Sequence, residues 1–137
     1  MTTFRNLVPL MNPQSIAIVG ASADRSKFGN KAVRAFVQAG WTVYPVNPKE
    51  KEIEGLPVYE TLMHCPQPLT RISMYVPPAV GKKMMVDLIA TAHDELFFNP
   101  GSDGEGIIEE ARKMHLDPVQ ACSIVDIGLS PGMFPDA

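Results

Sequence analysis

The stretch Ser15-Ile16-Ala17-Ile18-Val19-Gly20-Ala21-Ser22, continued through a loop as far as Gly29, decides the fold. Ser15 to Val19 is a short, β-branched apolar run, the profile of a strand buried on both faces. It ends at Gly20. Beyond the loop, Ala32, Val33, Ala35, Phe36 and Ala39 recur at helical spacing, and Gly40 stops the helix as a glycine just past its end does. Strand, loop and helix in that order make the first half of a βαβ unit, which predicts a parallel sheet.

The same alternation continues outward. Trp41 to Val46 reads as a second strand broken by Asn47-Pro48, and Pro45 inside it points to a sheet edge or strand end. Arg71 to Val76 is a third strand closed by Pro77-Pro78. Residues 79–92 predict one helix, with Val80, Met84, Leu88 and Ala92 in a row. Glu95 to Phe98 is a fourth strand, Gly106 to His115 a helix, and Asp117 to Ala121 the start of a fifth strand. Ile53 to Leu69, with Gly55, Pro57, Pro66 and Pro68, predicts a compact connection with one short helix near residues 60–64. The fold class expected is α/β: a doubly wound, mostly parallel five-stranded sheet with right-handed crossovers and helices on both faces.

The 137 residues suit one domain, residues 1–137, with a core of about residues 10–127. The tail, residues 128–137, is expected to be poorly ordered. Its apolar part, Ile127 to Phe134, also suits packing on a second copy of the chain. With 45% hydrophobic and 20% charged residues the chain can build a globular core, which excludes disorder. The longest uncharged stretch, Leu7 to Ala23, is broken by Pro9, Asn12, Pro13 and Gln14, so no membrane span is expected. Met1 to Arg5 lacks the basic-then-apolar pattern of a secretory signal, and a cytoplasmic protein is expected. Cys65 and Cys122 lie far apart, and His64, His93 and His115 form no ligand pair on one helix face. Neither a disulfide framework nor a metal site is expected.

Charge divides the chain. Residues 1–51 carry seven basic against two acidic side chains, net +5, and residues 52–137 five against thirteen, net −8. A local basic patch on a protein of net charge −3 suits a small polyanion better than a nucleic acid, which needs a wide basic face.

Ligands of such sheets bind beyond the carboxyl ends of the strands, where the strand order reverses. The loop after strand one, Gly20-Ala21-Ser22-Ala23-Asp24-Arg25-Ser26-Lys27-Phe28-Gly29, lets a backbone approach a phosphate and leads into a helix N-terminus. It is not the dinucleotide fingerprint, because Ser22 and Arg25 stand where its second and third glycines fall, and it lacks the Gly-Lys-Ser/Thr of a P-loop. After strand two, Asn47-Pro48-Lys49-Glu50-Lys51 replaces the acidic residue of NAD-binding domains. A lysine here suits the extra ribose phosphate that NADP and coenzyme A both carry; a solvated charged turn is the other reading. The loops Val76-Pro77-Pro78 and Asn99-Pro100-Gly101 carry no ionisable group and suit walls for a ligand, although Pro78 is also an ordinary first helical residue.

Ile18-Val19-Gly20-Ala21-Ser22, Val46-Asn47-Pro48-Lys49, Val76-Pro77-Pro78 and Gln120-Ala121-Cys122-Ser123-Ile124-Val125, in this order and spacing, closely resemble the small CoA-binding protein family. That family is similar to the nucleotide-binding first domain of the succinyl-CoA synthetase alpha subunit. The resemblance implies a Rossmann-like domain holding coenzyme A, or an acyl-CoA, as its ligand. It implies that Ser22 to Lys27 contacts the diphosphate and that Asn47-Pro48-Lys49 lies beside the phosphorylated ribose and adenine. Val76-Pro77-Pro78 and Asn99-Pro100-Gly101 would then flank the nucleotide and guide the pantetheine arm. The synthetase's phosphorylated histidine belongs to a second domain that this chain does not supply.

Catalytic groups are sparse. Asp126, Glu109 and Glu110 form no Ser-His-Asp arrangement, and no base adjoins Cys122 in sequence. Cys122 reads either as a small core cysteine or as a thiol facing the end of the ligand. The expectation is a stand-alone binding or sensor module without a complete catalytic site. The alternative is an NAD(P)-dependent oxidoreductase with a degenerate glycine loop, against which stand the missing acidic residue, the missing second glycine and the short chain.

Overall fold

A computed structural model describes residues 13–137, so residues 10–12 of the expected core lie outside the described residues. Strand β1 (Ser15–Val19) is flanked by β2 (Thr42–Val46) and β5 (Leu69–Met74). Next come β6 (His93–Phe98) and β7 (Pro118–Gln120), giving the order β2-β1-β5-β6-β7 with every pair parallel. The chain lays down β2 on one side of β1 and the remaining strands on the other. The order therefore reverses between β1 and β5. Between β2 and β5 stand a two-residue antiparallel hairpin, β3 (Glu52–Ile53) and β4 (Leu56–Pro57), and a 3-10 turn at Leu62–His64, which is the short helix expected near residues 60–64.

Alternation along β1 sends its residues to two separate cores. Ile16 and Ile18 meet α1 (Phe28–Gln38) through Ala32, Val33, Ala35 and Phe36. Ala17 and Val19 meet Met85 and Leu88 of α3 (Met85–Ala90) and Ile107, Ile108 and Ala111 of α4 (Ile107–Lys113). Full burial of each large apolar side chain contributes about 1.5–3 kcal/mol, so the pair of cores holds the helices to both faces. Gly40, at φ +86°, ends α1: its amide donates to Val37 O and that of Trp41 to Phe36 O, a Schellman closure. Pro45 sits opposite Ile18 on the edge strand β2, where its missing N–H interrupts no pairing with β1.

Two expectations change. The single helix over residues 79–92 is instead α2 (Pro78–Lys82) and α3, with a tighter turn between them in which Lys83 and Met84 donate three residues back, to Val80 and Gly81. Gly81 sits where a Cβ would come 2.7 Å from Ile107 Cδ1, so α2 packs close to α4 at a residue that favours helix poorly. The row Val80, Met84, Leu88, Ala92 is accordingly no stripe: Leu88 is buried, while Val80 and Ala92 are exposed.

The tail is also ordered. A 3-10 turn at Pro131–Met133 turns Phe134 into the α1-side core, where it is buried and lies under Arg34, 5.8 Å from its guanidinium carbon. Arg34 donates to Pro135 O, and Lys31 pairs with Asp136. An apolar residue flanked by partners for two α1 cations explains why the tail folds back.

Candidate functional site

The cleft opens at the carboxyl ends of β1 and β5, on the reversal of strand order. Its volume is about 460 Å³. Nine of the fifteen sequence-predicted site residues line it: Gly20, Ala21, Ser22, Lys27, Asn47, Val76, Pro77, Pro100 and Gly101. Phe28, Gly29, Tyr75 and Ser102 complete the wall.

The glycine loop is built for close approach. Gly20 leaves β1 at φ +94°, and a Cβ there would meet Tyr75 C and the Val76 side chain at 3.0 Å. A Cβ on Gly29 would run into the Gly20 carbonyl oxygen, so only glycine lets α1 start this close to the end of β1. No side chain caps α1 at Lys27, and its first turn carries no acid. The positive end of the helix dipole and the first amides are therefore left to whatever enters the cleft. The loop braces itself as well: Asp24 accepts from Ser26 N and Oγ, which holds its carboxyl below the usual range, and its own amide donates to Ser22 Oγ.

Asparagines fasten the neighbouring loops. Asn47 Nδ2 donates to Ala21 O at 2.8 Å, and its Oδ1 accepts from the amides of Lys49 and Glu50. Buried Asn30 donates to Ser22 O and to Glu54, and accepts from Arg34 Nε. Glu54, at the tip of the β3–β4 hairpin with φ 49°, also pairs with Arg25 at 3.2 Å.

The other six predicted residues lie around the cleft rather than on it. Arg25 is engaged by Glu54 and Ala137 O, and Ser26 by Asp24. Lys49 is exposed on the loop after β2. Pro48 lines a neighbouring pocket of about 220 Å³ with Val46, Leu62, Val80 and Met84, which shares Gly20 and Val76 with the cleft and has Glu60 and Asp87 on its rim. Pro78 is the first residue of α2. Asn99 is buried, and its amide is consumed by Ser73 Oγ, Met74 O and Ser123 N.

Asn99 belongs to a polar network that sequence reading missed. Arg71, 3% exposed, donates to Glu95, Asp126 and Ser123 Oγ, and its guanidinium carbon lies 3.9 Å from the Phe97 ring centroid. Asp126 is thus a partner for a buried cation and has no place in the cleft. The network fixes the start of α5 (Ser123–Asp126), whose N-cap is Cys122. The signal lay in Arg71-Ile72-Ser73-Met74-Tyr75-Val76: polar residues at every second position of a buried strand put one polar row on one face. Tyr75 ends that row at the cleft. Its hydroxyl is buried with no hydrogen bond of good geometry, the single such side-chain atom among the described residues; burial raises its pKa, and Ser73 and Arg71 nearby oppose the rise.

A family model for a CoA binding domain matches residues 14–128. The chain belongs to the CoA binding domain family. This CoA binding domain is similar to the ADP-forming acetate–CoA ligase I subunit alpha of Pyrococcus furiosus, 31% identical over 124 residues, 79% of this chain and 27% of that subunit. It is also 35% identical over 74 residues to the ADP-forming acetate–CoA ligase I of Archaeoglobus fulgidus, covering 54% of this chain and 11% of that protein. The domain therefore spans about a quarter or less of the length of these curated relatives. Among solved structures, a conserved hypothetical protein from Pyrococcus furiosus matches with TM-score 0.75 and 31% identity, covering 82% of this chain and 98% of that one. The dinucleotide forming acetyl-coenzyme A synthetase 1 of Ca. Korarchaeum cryptofilum matches with TM-score 0.63 and 28% identity over 82% of this chain and 26% of its own. The Rossmann-like sheet and the family expected from the four motifs are thus both found. No helix among the described residues is long and apolar enough to cross a membrane, and no cluster of three metal-ligating side chains occurs among them.

Proposed function

We propose that this CoA binding domain holds coenzyme A or an acyl-CoA across the carboxyl ends of β1 and β5, as a binding or sensor module without a catalytic site of its own. The observation that carries the reading is the uncapped start of α1 at the floor of a 460 Å³ cleft, reached over a loop that only glycine at positions 20 and 29 permits. Backbone amides and a helix dipole bind a diphosphate without needing a charged pocket, and Lys27 adds one positive charge at the rim.

In this reading the adenine enters the pocket beside Pro48, whose rim carboxylates Glu60 and Asp87 can accept from its amino group. Lys49 stands at the adjoining corner for the ribose phosphate. The pantetheine arm then crosses Val76-Pro77 and Pro100-Gly101, two loops without ionisable groups. Asn47 supports coenzyme A over NAD on chemical grounds: both lone pairs of its Oδ1 are taken by the amides of Lys49 and Glu50. No acceptor remains there for the ribose hydroxyls that a Rossmann acidic residue binds. The stand-alone role and a cytoplasmic setting belong to the same proposal.

Calorimetry on the Lys49→Ala variant tests it. Coenzyme A affinity falls by about 1–3 kcal/mol, the range for a charge-assisted contact, while dephospho-CoA is nearly unaffected. Equal losses for both ligands would remove Lys49 from the ribose phosphate.

A further inference from the structure

Beyond the cleft, toward β6 and β7, lies a separate small cavity of about 70 Å³ lined by Phe28, Tyr75, Asn99, Pro100, Cys122 and Ile124. Three of these residues, Phe28, Tyr75 and Pro100, also line the main cleft, so the two spaces meet at a shared wall. We propose that this cavity is an acyl pocket, which selects acyl-CoAs carrying a short aliphatic group of two to four carbons; the inference rests on the coenzyme A reading above.

Four observations support it. The first is position. The cavity reaches from Phe28, at the start of α1, to Cys122 and Ile124 beyond β7, so its far side lies two to three strands from the loop after β1, about 10–14 Å at the usual strand spacing. Pantetheine, built of three residue-length units, extends over about 10–11 Å, which reaches the nearer part of that range. The second is size. At about 10–15 Å³ of accessible volume for each water-sized group, the cavity of about 70 Å³ holds roughly five to seven heavy atoms, a short acyl group and little more. The third is chemistry: both N–H donors of Asn99 are used within the protein, its oxygen already accepts from Ser123 N, and the Tyr75 hydroxyl is buried, so rings, a proline, a thiol and an isoleucine make up most of the surface offered to a ligand.

The fourth is rigidity. Ser123, between the two lining residues Cys122 and Ile124, is held by its amide on Asn99 and its hydroxyl on Arg71. The wall is therefore set before any ligand arrives, and a preformed pocket discriminates by size. Phe28 completes the device. It is 60% exposed at the mouth shared by both spaces, an apolar ring that an acyl chain passing inward would cover.

The test is a calorimetric panel of CoA, acetyl-CoA, butyryl-CoA and palmitoyl-CoA on the wild-type chain and on Cys122→Phe. Butyryl-CoA is expected to bind about tenfold more tightly than CoA, as burial of a few methylene-sized groups implies, with palmitoyl-CoA losing that gain. Cys122→Phe fills the cavity, so it abolishes the preference and keeps the affinity for CoA. Should that variant not fold, the wild-type chain supplies a second readout. Butyryl-CoA slows alkylation of Cys122 by N-ethylmaleimide, and desulfo-CoA does so far less. Equal affinities for CoA and the short acyl-CoAs, or equal protection of Cys122, would overturn the acyl pocket while leaving coenzyme A binding intact. Failure of every panel member to bind would overturn both.

Discussion

Asn47 Nδ2 donates to the Ala21 carbonyl at 2.8 Å, tying the loop after β2 to the loop after β1. One half-buried side chain thereby sets the distance between the two loops on which the phosphate-binding reading depends. Asn47→Ala removes this bond and the two accepted from Lys49 and Glu50. It should cost about 1–3 kcal/mol in urea unfolding and weaken coenzyme A binding as well. Unchanged stability with unchanged affinity would show that the loops hold their spacing without it.

Gly29→Ala is the most damaging small substitution expected in the cleft. Its new methyl group would strike the Gly20 carbonyl oxygen, part of the backbone, which cannot rotate away as a flexible side chain can. A loss of at least about 2–3 kcal/mol in chemical denaturation is expected, or a displaced loop that no longer binds ligand. An alanine variant with wild-type stability and affinity would contradict the packing described at the start of α1.

Tyr75→Phe should stabilise the protein. Its buried hydroxyl makes no hydrogen bond of good geometry, Ser73 offering at best a poorly aligned one, so removing the oxygen lifts a desolvation cost and keeps the ring. The midpoint of thermal unfolding should rise, corresponding to roughly 1 kcal/mol. A lower midpoint would mean that the hydroxyl is satisfied.

Stability should fall on the alkaline side. Burial pushes the Cys65 thiol from 9.0 up to about 12, and burial also raises Tyr44 and Tyr75. These groups stay protonated in the folded chain while the unfolded chain ionises them first. The Cys65 contribution is therefore complete below pH 9 and lost as pH climbs toward 12, and the tyrosines begin to add to the decline above pH 10. Unfolding free energies measured across that window should decline, and less steeply in Cys65→Ala. A flat profile would place the thiol in contact with solvent.

The sheet was legible in the sequence because Ser15 to Val19 and its counterparts are short apolar runs ending in Gly, Asn-Pro or Pro-Pro, which tertiary packing had no reason to override. The glycine loop, Asn47 and the two proline loops could be placed because strand ends fix where a ligand sits in such sheets. What escaped was mostly long-range. The tighter turn at Lys83 and Met84 divides a helix whose own periodicity looked continuous, and Phe134 under Arg34 orders a tail that reads as loose. Arg25 matched the chemistry of a phosphate ligand, but Glu54, 29 residues further along, holds it at 3.2 Å. No local pattern announces such a partner.

The central claim is that the cleft between the β1, β2, β5 and β6 loops receives coenzyme A, and an amide NMR titration of the wild-type chain tests it most directly. Coenzyme A should shift the amides of Gly20 to Gly29, Asn47, Lys49, Val76, Gly101 and Ser102, and saturate, while NAD at the same concentrations leaves them in place. Shifts with NAD instead, or coenzyme A shifts confined to residues away from this cleft, would contradict the account.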